Sequence, residues 1–247
     1  MIYWKTQLKS QKKMKMSGNQ WSGWGVSEIG PLHIKENISN QDSYIVKQYS
    51  WGIVGVVCDG LGSKKYSHIG SQALVNAVVQ TAKIFDFKKD INLFEPLLKS
   101  LWNINISPYS QNDTSTTLLF TIVKHKKVYI GRVGDGVIGI LGKNSLLVEE
   151  DKDMFTNYTV PFGREEKISW AIFDEDDVKY VVMCSDGISE DIHNDKILDF
   201  FQNYITNYRN ILSTKRNYEI KNWLRNWPVK GHSDDKTIVA LVKAENG

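Results

Sequence analysis

The sequence predicts an α+β domain, because helical and strand-like periodicities fall in separate runs rather than alternating one for one. Three observations carry that reading. Residues 67–85 space apolar side chains as a helix does, with Ile69, Ala73, Leu74, Ala77, Val78 and Ala82 on one face. From Thr116 the period changes to short apolar runs split by turns at His125–Lys127, Gly134–Gly136 and Gly142–Asn144, as in an antiparallel meander. Four strand-like runs also end or begin at an aspartate, usually beside glycine: 52–60, 128–136, 179–187 and 233–242.

In chain order, residues 26–46 read as an extended pair broken by Gly30-Pro31 and by Asn37–Asn40. Residues 51–58 form a nearly continuous β-branched run, expected of a strand buried on both faces. After the helix over 67–85, a second is predicted over 93–104, with Pro96 tolerated in its first turn. Residues 179–184 read as a strand, 188–204 and 218–227 as helices, and 237–242 as a closing strand. No fixed-period repeat occurs, and the chain divides into a basic, poorly ordered arm over 1–20 and one domain over 21–247.

Composition narrows the function. A chain of 247 residues with 41% hydrophobic and 24% charged residues can bury a sizeable core. A net charge of +3 does not argue for a nucleic-acid partner. The arm carries Lys5, Lys9, Lys12, Lys13 and Lys15 but no apolar core like that of a secretory signal. It could still serve an acidic partner, nucleic acid or lipid surface. Nothing approaches the roughly 20 apolar residues of a membrane span. The two cysteines, Cys58 and Cys184, read as core thiols in a reduced, cytoplasmic setting. Trp223 and Trp227, four apart, read as core residues of the last helix.

A carboxylate at the tip of a buried strand is costly unless something positive pairs with it. Four such aspartates imply strand ends converging on a shared cation. Hard oxygen ligands suit Mg²⁺ or Mn²⁺ rather than zinc, and adjacent glycines can expose carbonyl oxygens as further ligands. Two ions about 4 Å apart can activate water for in-line attack on phosphorus without a protein nucleophile. Phosphate-cradling alternatives fail on spacing. Gly55 to Gly60 starts like a P-loop, but Leu61-Gly62 stands where Lys-Ser/Thr is required. Gly131 to Gly136 is not a dinucleotide fingerprint and precedes a strand.

Six motifs in order resemble the PP2C-type metal-dependent serine/threonine protein phosphatases. They are Asn40-Gln41-Asp42, Asp59-Gly60-Leu61-Gly62, Thr116-Thr117, Gly134-Asp135-Gly136, Ser185-Asp186-Gly187-Ile188 and Asp234-Asp235-Lys236-Thr237. The resemblance runs from about residue 25 to about residue 243, nearly all of the chain, and the opening from Gly30 to Asp42 is most similar to a compact bacterial branch. The resemblance implies a four-layer α-β-β-α sandwich with two central antiparallel sheets and metals in a cleft at one end. It implies that Asp59 bridges two ions, that the Gly60 carbonyl binds one, and that Asp186 and Asp234 complete the other. Asp234 is preferred over Asp235 because it lies three residues before Thr237. Asp135 and Glu190 match a pair that holds a third ion in many members; a turn residue and a helix-terminal charge are the plainer readings. Asp42 is expected to orient ligands from behind, with direct ligation or capping as the alternatives.

Three departures stand out. Gln41 replaces a usual glutamate, Asn37 falls where animal members carry a phosphate-gripping arginine, and Leu61 replaces a proposed leaving-group histidine. Lys35 lies near Asn37, and His33 is the candidate for either missing catalytic function. Arg164, in the variable stretch 144–177 that forms a flap in the family, is a candidate phosphate contact. The expected activity is hydrolysis of phosphoserine and phosphothreonine in a phosphoprotein, by a monomer partnered with a cognate Ser/Thr kinase. The alternative is a catalytically inactive module that binds a phosphoprotein or kinase.

Overall fold

The structure, a computed structural model, describes residues 20–149, 160–164 and 167–244. The basic arm, apart from Gln20, and the acidic stretch 150–159 lie outside the described residues.

Strand β1 (Trp21–Glu28) leads into helix α1 (Pro31–Glu36) and strand β2 (Asp42–Tyr49). Strand β3 (Gly52–Asp59) follows, then helices α2 (Ser67–Ile84) and α3 (Phe94–Ile106). Strands β4 (Leu118–Lys124), β5 (Lys127–Val133), β6 (Val137–Gly142), β7 (Leu146–Val148), β8 (Ser169–Asp174) and β9 (Val178–Cys184) come next. Helices α4 (Asp186–Ser189), α5 (Ile197–Tyr208) and α6 (Ser213–Arg225) precede the closing strand β10 (Lys236–Lys243).

The strands form two five-stranded antiparallel sheets, ordered β1-β10-β9-β6-β7 and β2-β3-β4-β5-β8. Alternation along each central strand feeds two cores at once. In β3, Ile53 and Val57 face the other sheet, where they meet Met183, Val239 and Leu241. Val54, Val56 and Cys58 face outward onto Leu74 and Val78 of α2 and Trp102 of α3. In β10, Ile238 and Ala240 pack outward against Phe201 of α5 and Leu224 of α6. The result is the expected α-β-β-α sandwich. Both cysteines are buried and unpaired, and burial pushes both thiols up. Trp223 and Trp227 meet with ring centroids 4.9 Å apart and planes tilted by 56°, within the outer core of the first sheet. Among the described residues no helix is long and apolar enough to cross a membrane.

Four local expectations change. The extended pair over 26–46 contains a helix, started by Pro31 at its first turn and stopped by Asn37 at φ 57. The predicted meander is divided: β4 and β5 belong to one sheet, β6 and β7 to the other. The crossing occurs at Gly134-Asp135-Gly136, where both glycines have positive φ (83 and 82) that a side chain would strain. The helix over 188–204 is broken, since α4 ends at Ser189 and α5 starts only at Ile197. Strand β8, which pairs with β5, carried no sequence signal.

Candidate metal centre

Each acidic motif sits where a strand runs out. Asp59 ends β3, directly across from Asp42 at the start of β2. Its backbone is fixed on both sides. The Asp59 carbonyl accepts from Thr117 N–H (2.7 Å) and Thr116 Oγ1 (2.8 Å), and its N–H donates to Thr117 Oγ1 (3.0 Å). Gly60 N–H donates to the Gln41 carbonyl at 3.2 Å, tying the loop before β2 to the end of β3.

From the other sheet, Asp186 opens α4 just beyond β9, and its Oδ1 accepts from Gly187 N–H at 2.6 Å. Ser185 beside it donates from Oγ to Asp42 Oδ2 (2.8 Å) and accepts Thr237 N–H (3.1 Å). A buried hydroxyl thus links β2, β9 and β10 beneath the site. Asp234 precedes β10; its Oδ1 accepts from Asp235 N–H (2.8 Å) and its carbonyl from the Lys236 ammonium (3.1 Å).

These elements enclose a cleft of about 320 Å³. Asp59, Gly60, Asp135, Asp186 and Asp234 line it, with His33, Gln41 and Thr117 around them. Glu190 borders a neighbouring cleft of about 210 Å³ that shares Asp186 and Asp234. Asp42 lies beneath the main cleft, 6% exposed.

The electrostatics are those of crowded carboxylates. Burial, then Asp42, Asp186 and Asp234, raises Asp59 well above the usual carboxylate range. Burial raises Asp42 to about 8, with Asp235 and Asp186 adding to it and the Thr237 and Ser185 hydroxyls opposing it. Burial raises Asp186 to about 6, helped by Asp135, Asp234 and Glu190 and opposed by a hydrogen bond shared with Asp59. Among the described residues no lysine or arginine side chain pairs with the carboxylates of Asp42, Asp59, Asp186 or Asp234. Asp42 Oδ1 is buried with no hydrogen-bond partner. Convergent, oxygen-only and without a direct ion pair, with only the Lys236 ammonium nearby on the Asp234 carbonyl, this donor set fits a hard divalent cation.

Adjacent aspartates divide their work. Asp234 faces the cleft, while Asp235 is 1% exposed and turned inward. Asp235 accepts the N–H of Gly30 and the N–H of Gln41, each at 2.7 Å, and so clasps both ends of the loop that carries α1. That clasp is the functional residue sequence reasoning set aside. The signal for it was the alternation of neighbouring side chains across the chain. Ser185 and Thr117 lay inside recognised motifs, but their contacts depend on a neighbouring strand.

His33 lines the cleft, with Nδ1 2.9 Å from Asp235 Oδ2. Asn37 and Lys35 are exposed at the end of α1 and do not line the cleft. Arg164 Nη2 donates to Asn112 Oδ1 (2.9 Å), an oxygen shared with Lys64 Nζ (3.1 Å), outside the cleft lining.

A family model described as protein phosphatase 2C matches residues 29–227. Among solved structures, the S. agalactiae serine/threonine phosphatase superposes with a TM-score of 0.65 at 16% identity, over 91% of this chain and 100% of that one. Serine/threonine phosphatase Stp1 from Staphylococcus aureus gives 0.63 at 16% identity, covering 93% and 97%. The catalytic domain of the serine threonine protein phosphatase PstP, in complex with 2 manganese ions, gives 0.62 at 16% identity, covering 91% and 99%. At these identities the likeness is one of fold. No curated protein sequence matches the chain significantly.

Proposed function

The chain belongs to the protein phosphatase 2C family, whose members are protein serine/threonine phosphatases, and we propose that it hydrolyses phosphoserine and phosphothreonine with two divalent ions in the acidic cleft. The observation that carries this is the convergence of Asp59, Gly60, Asp186 and Asp234 from both sheets on one cleft, with no ion pair to these carboxylates among the described residues. The family match ends before Asp234, so the reading of that residue leans on its position in the cleft.

Asp59 would bridge the ions, the Gly60 carbonyl would serve one, and Asp186 and Asp234 the other. Mg²⁺ or Mn²⁺ held there supplies Lewis acidity, acidifying water and neutralising phosphate charge. The protein's own contribution is placement. Thr116 and Thr117 hold the Asp59 backbone, Ser185 holds Asp42, and Asp42 orients the ligands from behind. Asp135 and Glu190, each close enough to raise Asp186, would hold a third ion. With Asn37 and Arg164 outside the cleft lining, the phosphate charge falls chiefly to the ions.

The substrate class is a phosphoprotein, and a cognate kinase is the natural counterpart. A binding-only module has no use for four carboxylates crowded at one cleft, so the catalytic reading is favoured. The test is phosphate release from a phosphothreonine peptide with added Mn²⁺. Asp59→Asn and Asp186→Asn should each lose more than the roughly 10–100-fold that an outer-sphere change costs. Activity equal to wild type in both variants would sink the assignment.

A further inference from the structure

One corner of the cleft offers nitrogen as well as oxygen. His33, Asp234 and Asp235 each present one ligand atom, and the three atoms lie within 4.8 Å of one another. His33 comes from α1 and the two aspartates from the loop before β10. The elements are stapled by the backbone, since Leu32 N–H donates to the Ser233 carbonyl at 3.1 Å.

His33 Nδ1 lies 2.9 Å from Asp235 Oδ2, yet it is buried without an aligned hydrogen bond. At that distance a well-directed N–H would form one. With Nδ1 unprotonated, two electron-rich atoms face shared space, which is costly when empty and is relieved by a cation. Asp235 cannot swing away, because its two oxygens are held by Gly30 and Gln41 N–H. Each carboxylate oxygen still keeps a second lone pair for ligation.

We propose that His33, Asp234 and Asp235 form a nitrogen-containing position for a divalent transition ion, sharing Asp234 with the dinuclear pair. The proposal rests on the cleft being a metal centre. Imidazole suits transition ions best toward the later end of the series, but even Mn²⁺, early in it, accepts a nitrogen ligand more readily than Mg²⁺, which prefers oxygen and retains its waters. This position therefore favours Mn²⁺ over Mg²⁺, and it assigns His33 to ligation rather than to gripping phosphate or protonating a leaving group.

Pulsed electron paramagnetic resonance of the full chain loaded with Mn²⁺ reads the ligand directly, because a coordinated imidazole imprints nitrogen modulation on the manganese signal. Wild type should show that modulation. His33→Gln should lose it and its weakest Mn²⁺ equivalent in a calorimetric titration, while still binding Mn²⁺ at the oxygen-only positions. His33 sits on a helix with no buried residues, so an unchanged melting temperature should confirm that the variant folds. His232→Gln, which alters an imidazole of the neighbouring cleft, should keep the modulation. Modulation that is absent from wild type, persists in His33→Gln or disappears in His232→Gln overturns the proposal. Nitrogen-free Mn²⁺ binding that still requires Asp59 overturns this proposal alone; failure of wild type to bind Mn²⁺ at all defeats the phosphatase reading with it.

Discussion

Ser185 is a small residue with a disproportionate position. Its hydroxyl spans the two sheets at their acidic ends, donating a hydrogen bond to Asp42 and accepting one from the Thr237 backbone N–H. Ser185→Ala leaves the buried Thr237 N–H without this partner and takes one hydroxyl donor from the Asp42 carboxylate. Unfolding in urea should show a loss of about 1–3 kcal/mol. Phosphatase activity should fall by about 10–100-fold as Asp42 loses its anchor. An unchanged urea midpoint would mean that Asp42 is held by other means. At this scale the sequence was most legible where chemistry and spacing agree. Asp59, Asp135, Asp186 and Asp234 were all marked by their strand ends, and all line the cleft. Asp235 was not legible as a clasp, because its partners Gly30 and Gln41 lie about 200 positions earlier and meet it only through the fold.

The elements were legible in proportion to their length and periodicity. Helix α2, with its long apolar stripe, and strand β3, apolar on both faces, were read to within a few residues. Helix α1 has no buried residue, so no hydrophobic pattern announced it. The division of the meander was hidden for a different reason. A strand run states that pairing occurs but not with which sheet, and the two glycines around Asp135 redirect the chain. Packing of α2 makes a sharper prediction. A methyl group on Gly70 would collide with the Thr114 carbonyl, in the loop leading to the Asp59-holding threonines. Gly70→Ala should therefore destabilise by about 1–3 kcal/mol despite its gain in helix propensity. Thermal unfolding measures this, and a stabilised variant would show that α2 has room to shift.

Across the whole molecule, two sheets bring carboxylates together that repel one another until a cation arrives. This has a pH signature. Asp42 at about 8, Asp186 at about 6 and Asp59 also raised all hold protons in the folded, metal-free chain that the unfolded chain has released. The folded state then binds more protons than the unfolded state, so stability falls as pH rises from about 4 to about 8. The melting temperature of chelator-treated protein should drop across that window. Saturating Mn²⁺ should reverse the trend, because ions bind the deprotonated carboxylates and only in the folded chain. A metal-free profile that rises with pH would contradict the account of the cluster.

The convergence of Asp59, Asp186 and Asp234 on divalent ions is tested most directly by calorimetric titration of Mn²⁺ into metal-free protein. Wild type should bind at least two equivalents, and Asp59→Asn should lose the tight phase, since the carboxylate proposed as the bridge would serve both ions at once. Absence of binding to wild type, or an isotherm unchanged in Asp59→Asn, would contradict it.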